Sequence, residues 1–256
     1  MIYNRYSNYI DRVVLKEKPE QWTFKSNPEF TYMLEHVSVH QGLEYYKLLT
    51  NKSIFKYNIK YFSEISEQND KYGNPAKYAF EGFTNCSPTN LRYIFHCILL
   101  FDYVVEKGLN DICFTEIGGG YGGECFFVHK IAVLFNVRIK EYIIFDLQNP
   151  STLQNEYLKL HNIPNIRTTT LDKFEDNIEG NRFLMSNYAF SEIPKDLQEE
   201  YITRIIEPYV THGFICWNSI EFYEFKSRSK YKIEEEYPLT GTYNKYIWFS
   251  PISNEI

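Results

Sequence analysis

The residues with the clearest chemical potential stand together at Glu116-Ile117-Gly118-Gly119-Gly120-Tyr121-Gly122-Gly123. The run follows an apolar, strand-like segment and opens a helix-like one. In that setting glycines let the backbone turn tightly and let a ligand approach without a Cβ in the way. A helix start adds N–H groups that have no partner within the helix. Two spacings fit the same letters. Gly118, Gly120 and Gly123 satisfy G-x-G-x-x-G, the dinucleotide fingerprint. Glu116, Gly118, Gly120 and Gly122 satisfy E-x-G-x-G-x-G, in which a carboxylate precedes the glycines. A carboxylate there suits a ligand carrying an ammonium and a sulfonium better than it suits a pyrophosphate. The next strand-end acid, Asp146, lies 28 residues after Gly118, beyond the roughly 20 usual at a dinucleotide site. A glycine-rich turn with no ligand is the plainer alternative.

Ligands of open α/β sheets gather outside the carboxyl ends of the strands. That rule selects Asp146, whose carboxylate can accept from ribose hydroxyls, with Leu147 beside it. It also selects Asp172, placed to accept from an adenine amino group, and the block Ser186-Asn187-Tyr188-Ala189-Phe190-Ser191-Glu192. Asp172 as a turn cap, Ser191 as a helix N-cap and Glu192 as a first-turn acid favoured by the helix dipole are the alternatives. Arg92 could hold a carboxylate or a phosphate of a ligand, or simply pack on its helix. His36 and His40 share an i, i+4 spacing but lack a third ligand, so no metal is assigned. His96 lies in an apolar helical run and reads as core.

These residues need a scaffold. From Asn110 onward, strand-like runs at 112–117, 141–145, 166–171, 182–187 and 213–218 alternate with helical patterns over 124–135, 151–161 and 195–209. Alternation at this spacing means β-α-β units and a mainly parallel sheet. Runs at 233–239 and 244–249 are joined by Thr240-Gly241-Thr242-Tyr243, a connection short enough only for an antiparallel hairpin. Before Asn110, apolar spacing predicts helices over 28–50 and 88–107, the second opened by Ser87 ahead of Pro88. The expected division is a helical extension over 1–109 and a ligand-binding α/β domain over 110–256.

Composition bounds the function. The 256 residues carry 27 basic and 33 acidic side chains, a net charge of −6, which excludes a generic nucleic-acid binder. Aromatic residues at 18 % exclude disorder. Five cysteines, none in a C-x-x-C pair, suggest reduced thiols and not a disulfide framework. The N-terminus lacks a signal-peptide pattern, and the greasy run over 94–101 is far too short to span a membrane. A cytoplasmic protein without a membrane span is expected.

The motifs together resemble a family. Met33-Leu34-Glu35-His36-Val37, Tyr72-Gly73-Asn74-Pro75, Ser87-Pro88-Thr89-Asn90-Leu91-Arg92-Tyr93, the glycine run with Phe145-Asp146-Leu147, and Ser186 to Glu192 with Gln198 and Tyr201 are similar to blocks of the sugar O-methyltransferases. These belong to the class I S-adenosylmethionine-dependent methyltransferases, whose pattern is E-x-G-x-G-x-G. The likeness spans about residues 28 to 220. Leu147-Gln148-Asn149-Pro150 departs from it, because the family often has Leu-Pro just after the acid.

The resemblance implies a Rossmann-like α/β fold with an antiparallel last strand and a mainly helical N-terminal extension. It implies S-adenosylmethionine as cofactor and a sugar hydroxyl, nucleotide-linked or in a glycan, as acceptor. A homodimer is compatible with it. The cofactor would be held by Glu116, Gly118, Gly120, Tyr121, Gly122, Asp146, Leu147, Asp172, Ser186 and Asn187, with Arg92. Methyl transfer to an alcohol needs in-line positioning and a general base. Glu192 and His36, beside Glu35, are the base candidates. Tyr188, Phe190, Phe222, Tyr223, Phe225, Tyr243, Tyr246 and Trp248 could stack on a sugar or pack as core. A nicotinamide-dependent sugar reductase or epimerase is the competing enzyme, but it would want Tyr-x-x-x-Lys where Tyr188 is followed by Glu192. A non-catalytic Rossmann-like binding module is the third reading.

Overall fold

Seven strands form one sheet: β1 (Asp111–Ile117), β2 (Arg138–Phe145), β3 (Ile166–Thr169), β4 (Arg182–Asn187), β5 (Val210–Trp217), β6 (Ser229–Glu235) and β7 (Lys245–Pro251). Their order is β3-β2-β1-β4-β5-β7-β6. Neighbours from β3 to β5 pair in parallel, and β7 runs antiparallel to both β5 and β6. This is the mainly parallel, Rossmann-like sheet with an antiparallel last strand that the sequence predicts. The computed structural model describes residues 2–12, 14–34, 36–175, 178 and 180–252. By its contacts the chain divides into two compact units.

The first is the sheet unit, made of Asp111–Gly119, Arg138–Leu147 and Asn165–Ile256. Every residue of β1 after Asp111 is buried, as befits a central parallel strand covered on both faces. Ile143, Phe145, Leu184, Ile215 and Ile247 form part of one core with Ile205 and Ile206. Those two isoleucines lie on a helical stretch made of α10 (Lys195–Tyr201), a π-helical turn (Ile202–Ile206) and α11 (Glu207–Tyr209). A short helix, α9 (Ala189–Glu192), precedes it. Arg182 ties three strands together with its buried guanidinium. It donates from Nε to Thr115 Oγ1 at 2.7 Å, from Nη1 to Glu141 Oε2 at 2.6 Å and from Nη2 to the Phe114 carbonyl at 2.5 Å.

The second unit, Met1–Asn110 with Gly120–Val137 and Gln148–Pro164, is helical. It holds α1 (Ile2–Arg12), α2 (Pro28–Thr31), α3 (Val39–Leu49), α4 (Ser53–Tyr57), α5 (Ile59–Asn69), α6 (Pro88–Glu106), α7 (Gly123–Ala132) and α8 (Gln148–Leu160). α6 is buried almost all round, so it is the central helix of its unit. The Ser87 hydroxyl caps it by accepting from the Thr89 N–H at 3.2 Å. Among the described residues no helix is long and apolar enough to cross a membrane.

Three expectations are corrected. The helix expected over 28–50 is two helices, α2 and α3, because Ser38 and Gln41 form a reciprocal capping box that starts a new helix. His36 therefore lies in the link between them, and His36 and His40 do not share a helix face. Glu35 lies outside the described residues. β6 ends at Glu235, not Leu239, because its ladder with β7 closes at Glu235 opposite Lys245. The stretch between 50 and 88, where apolar spacing predicts no helix, contains α4 and α5, with Phe55, Phe62 and Ile65 buried.

Candidate active site

The chain turns back at β1. It lays out β2 and β3 on one side, then β4, β5, β7 and β6 on the other. The carboxyl ends of β1 and β4 thus meet at the switch point where such sheets take ligands. Ser186, on β4, stitches this point. Its hydroxyl donates to the Ile117 carbonyl at 2.8 Å and accepts from the Phe190 N–H at 3.0 Å. Gly118 follows with φ +76°, and any Cβ there would overlap the Ala189 Cβ. The Asn187 Oδ1 accepts from the Cys216 thiol at 3.2 Å.

Glu116 sits one residue before the end of β1 and is 2 % exposed. Its Oε2 accepts from the Tyr142 hydroxyl at 2.9 Å. Burial pushes its pKa from the ordinary 4.5 up to about 7; the Tyr142 hydrogen bond pulls it down, and the Asp146 charge adds to the rise. A carboxylate buried this deeply is stabilised by a nearby positive charge. At the end of β2, Asp146 Oδ1 accepts from the Leu147 N–H at 2.8 Å, and the Leu147 side chain is exposed. Asp172 is exposed, and the polar groups beside it, the Thr170 side chain first, lower its pKa.

Beyond β4 the backbone is strained. Tyr188 has φ +68°, a region costly for an aromatic residue. It is held by its N–H on the Cys216 carbonyl at 2.8 Å and by its hydroxyl on the Glu236 carboxylate. Glu236 is 1 % exposed and also accepts from the Thr240 N–H at 2.8 Å and Asn244 Nδ2 at 3.0 Å. Glu192 is half-buried, and its Oε1 accepts from Asn218 Nδ2 at 2.6 Å. Ser191 Oγ accepts from the Asn218 N–H at 3.0 Å and lies 2.7 Å from Asn218 Oδ1. In the sheet unit the structure therefore groups Glu116 with Tyr142, Ser186 with the β1 end, and Glu192 with Ser191 and Asn218.

The rest of the glycine run belongs to the helical unit. Gly120 and Gly122 have φ +58° and +94°. The Tyr121 ring is fully buried, so its backbone is what it can offer a ligand. Arg92 is buried on α6. His36 is exposed as a residue, yet desolvation by the protein around it and the nearby Arg92 charge lower its pKa to about 4. At neutral pH it is uncharged and a weak proton acceptor. Among the described residues, no group of three or more His, Cys, Asp or Glu side chains could hold a metal ion.

Of the rings named as sugar-stacking candidates, Phe190, Phe225, Tyr246 and Trp248 are buried as core. Tyr188, Phe222 and Tyr223 are partly exposed, and Tyr243 is exposed. Three partners escaped sequence reasoning. Asn218 is the first residue past β5, so the strand-end rule could have found it. Tyr142 and Glu236 carried no local signal, because the first depends on strand register and the second on a hairpin loop.

No family model matches the chain, and no curated protein matches it. Solved structures do. Over 98 % of this chain and 97 % of that one, it is similar to a variant of MtNAS, with 11 % identity and a TM-score of 0.42. It is similar to a SAM-dependent methyltransferase from Aquifex aeolicus at 13 % identity and a TM-score of 0.39, covering 59 % of this chain and 89 % of that one. For the 23S rRNA methyltransferase ErmE the values are 14 % and 0.39, with 60 % and 68 % covered. Likenesses at these values carry no weight for activity, and the functional reading stands on the chain's own residues.

Proposed function

We propose that the chain is an S-adenosylmethionine-dependent O-methyltransferase that acts on a hydroxyl of a sugar, either nucleotide-linked or within a glycan. The observation that carries this reading is Glu116. It is a buried carboxyl at the mouth of the glycine run, with its pKa raised to about 7. A pyrophosphate would add negative charge to that setting, whereas an ammonium and a sulfonium supply the missing positive charge.

When bound, S-adenosylmethionine supplies a methyl group already activated on sulfur, which passes to the acceptor oxygen as the carbon–sulfur bond breaks. The chain's own part is to hold and to deprotonate. Glu116 would receive the ammonium. The backbone of Gly118, Gly120, Tyr121 and Gly122 would line the approach, and Ser186 and Asn187 would shape the β4 side. Asp146 would accept from the ribose hydroxyls, beside Leu147, and Asp172 from the adenine amino group. Arg92 would bind the carboxylate. Glu192, oriented by Asn218, would take the acceptor's proton. His36 is the weaker base, since its low pKa reduces its pull on a proton. The first 110 residues would form an acceptor platform, and the sugar motifs quoted above support that assignment.

Calorimetry with S-adenosylmethionine, S-adenosylhomocysteine and NAD tests the reading. Binding of the first two without NAD is the expected result. NAD alone would replace it with the reductase reading, and no binding at all would leave a non-catalytic module. Transfer of a labelled methyl to a panel of nucleotide sugars then tests the acceptor. Glu192→Gln should lower turnover at least about 100-fold, and full turnover would remove Glu192 as the base.

A further inference from the structure

Tyr121 interrupts the glycine run with a full-sized ring, and that ring faces the interior of the helical unit. Its surroundings come from the first 110 residues and from α8. Asn69, the last residue of α5, donates from Nδ2 to the Tyr121 hydroxyl at 3.1 Å and to Asn90 Oδ1 at 2.6 Å. The Tyr157 hydroxyl donates to Asn69 Oδ1 at 2.6 Å. The Lys25 ammonium lies 4.2 Å from the Tyr121 ring centroid and donates to the Asn69 carbonyl at 2.6 Å. The adjoining backbone is held as well. Gln154 Nε2 donates to the Gly120 carbonyl at 3.0 Å, and a Cβ on Gly120 would come within 3.0 Å of Leu34 Cδ1.

Asn69, Asn90 and Gln154 are 0 % exposed and Lys25 is 2 % exposed. Breaking their bonds would leave buried polar groups without water to replace them, so the network resists loosening. The glycines do the opposite: lacking a Cβ, Gly120 and Gly122 could take many shapes besides the positive φ of +58° and +94° they hold here. A loop that binds through its backbone needs one shape, and here the buried side chains select it.

We propose that Asn69 is a positioning residue for the cofactor loop. Through the Tyr121 hydroxyl it holds Gly120 to Gly122 in the shape that receives an adenosyl ligand. The N-terminal segment thereby sets the backbone shape of Gly120 to Gly122 within their own unit. This rests on the reading that the loop binds S-adenosylmethionine. Loosening the clamp lowers the fraction of competent loops, and the apparent dissociation constant rises by the same factor.

The test is calorimetry of the full chain with S-adenosylhomocysteine, at a temperature where circular dichroism shows each variant folded. Tyr121→Phe keeps the ring and removes only the hydroxyl, and it should weaken binding about 5- to 10-fold. Asn69→Ala should weaken it at least as much, and the double variant no more than Asn69→Ala alone. Tyr61→Phe is the control, because it removes a 2.6 Å bond to the Lys130 carbonyl elsewhere in the same unit. It should lower the melting temperature and leave the dissociation constant unchanged. Should Asn69→Ala not fold, Tyr121→Phe against Tyr61→Phe decides. A folded Tyr121→Phe that binds like wild type would overturn the proposal, as would single losses that simply add, or an equal loss in Tyr61→Phe. Wild type that fails to bind S-adenosylhomocysteine is a different result: the methyltransferase reading then falls first and takes this inference with it.

Discussion

Replacing Glu116 with Gln should move stability and cofactor affinity in opposite directions. The carboxyl titrates at about 7 in the folded chain against an ordinary 4.5. Because the folded value lies above the unfolded one, the folded state holds the proton more tightly. Below about pH 4.5 the group therefore costs nothing. The cost grows as pH rises from 4.5 to 7 and is complete above 7. The gap corresponds to about 3 kcal/mol. At 2 % exposure, solvent screening takes little from that figure. Gln has nearly the same shape, keeps an oxygen to accept from the Tyr142 hydroxyl and does not ionise. Without ligand, Glu116→Gln should match wild type at pH 4.5 and melt about 6–12 °C higher at pH 8. The same change removes the charge that meets the ligand ammonium, and it should weaken S-adenosylmethionine binding by about 2–4 kcal/mol, roughly 30- to 1000-fold. Thermal melts across pH 4.5 to 8, with calorimetry at pH 8, read both effects. A stability gap that does not change with pH would refute the buried-acid argument. Unchanged affinity in the variant would refute the role in cofactor binding.

Gly118→Ala places a Cβ on the Ala189 Cβ at φ +76°, and it should cost about 2–4 kcal/mol in chemical denaturation; Ala189→Gly should recover only the steric part. Glu141→Gln weakens the partner of the buried Arg182 guanidinium, and since Glu141 is itself partly exposed the loss should be about 2 kcal/mol by urea titration. His36, with its pKa lowered to about 4, should stay neutral in nitrogen NMR from pH 8 down to pH 5. The acid limb of any pH–rate profile should then be unaffected by His36→Asn.

Much of the fold was legible along the chain. β1 and β4 are apolar runs bounded by turn residues, so their ends could be read almost to the residue. The antiparallel pairing of β6 and β7 was foreseen, but the short connection was not: the link runs over 236–244, because pairing with β7 sets where β6 stops. The break before α3 was written in Ser38 and Gln41 but masked by apolar spacing that runs on across it. α4 and α5 were hidden because their buried faces are few and widely spaced, at Phe55, Phe62 and Ile65.

Local order alone determined which acids and glycines stand at strand ends, since strand alternation and turn chemistry act over a few residues. Their condition was decided by packing. Nothing near Glu116 in the chain announces its pKa of about 7, because desolvation and the Tyr142 hydroxyl arrive from the fold around it. Asn218 stands 26 residues after Glu192 and comes to it only across the sheet. The Tyr121 ring reads, in sequence, as one more candidate in a glycine loop. Only tertiary contact with Asn69 and Lys25, 52 and 96 positions earlier, turns it inward as the anchor of that loop. Charge state and side-chain direction depend on distant groups brought close by folding, and spacing along the chain does not record them.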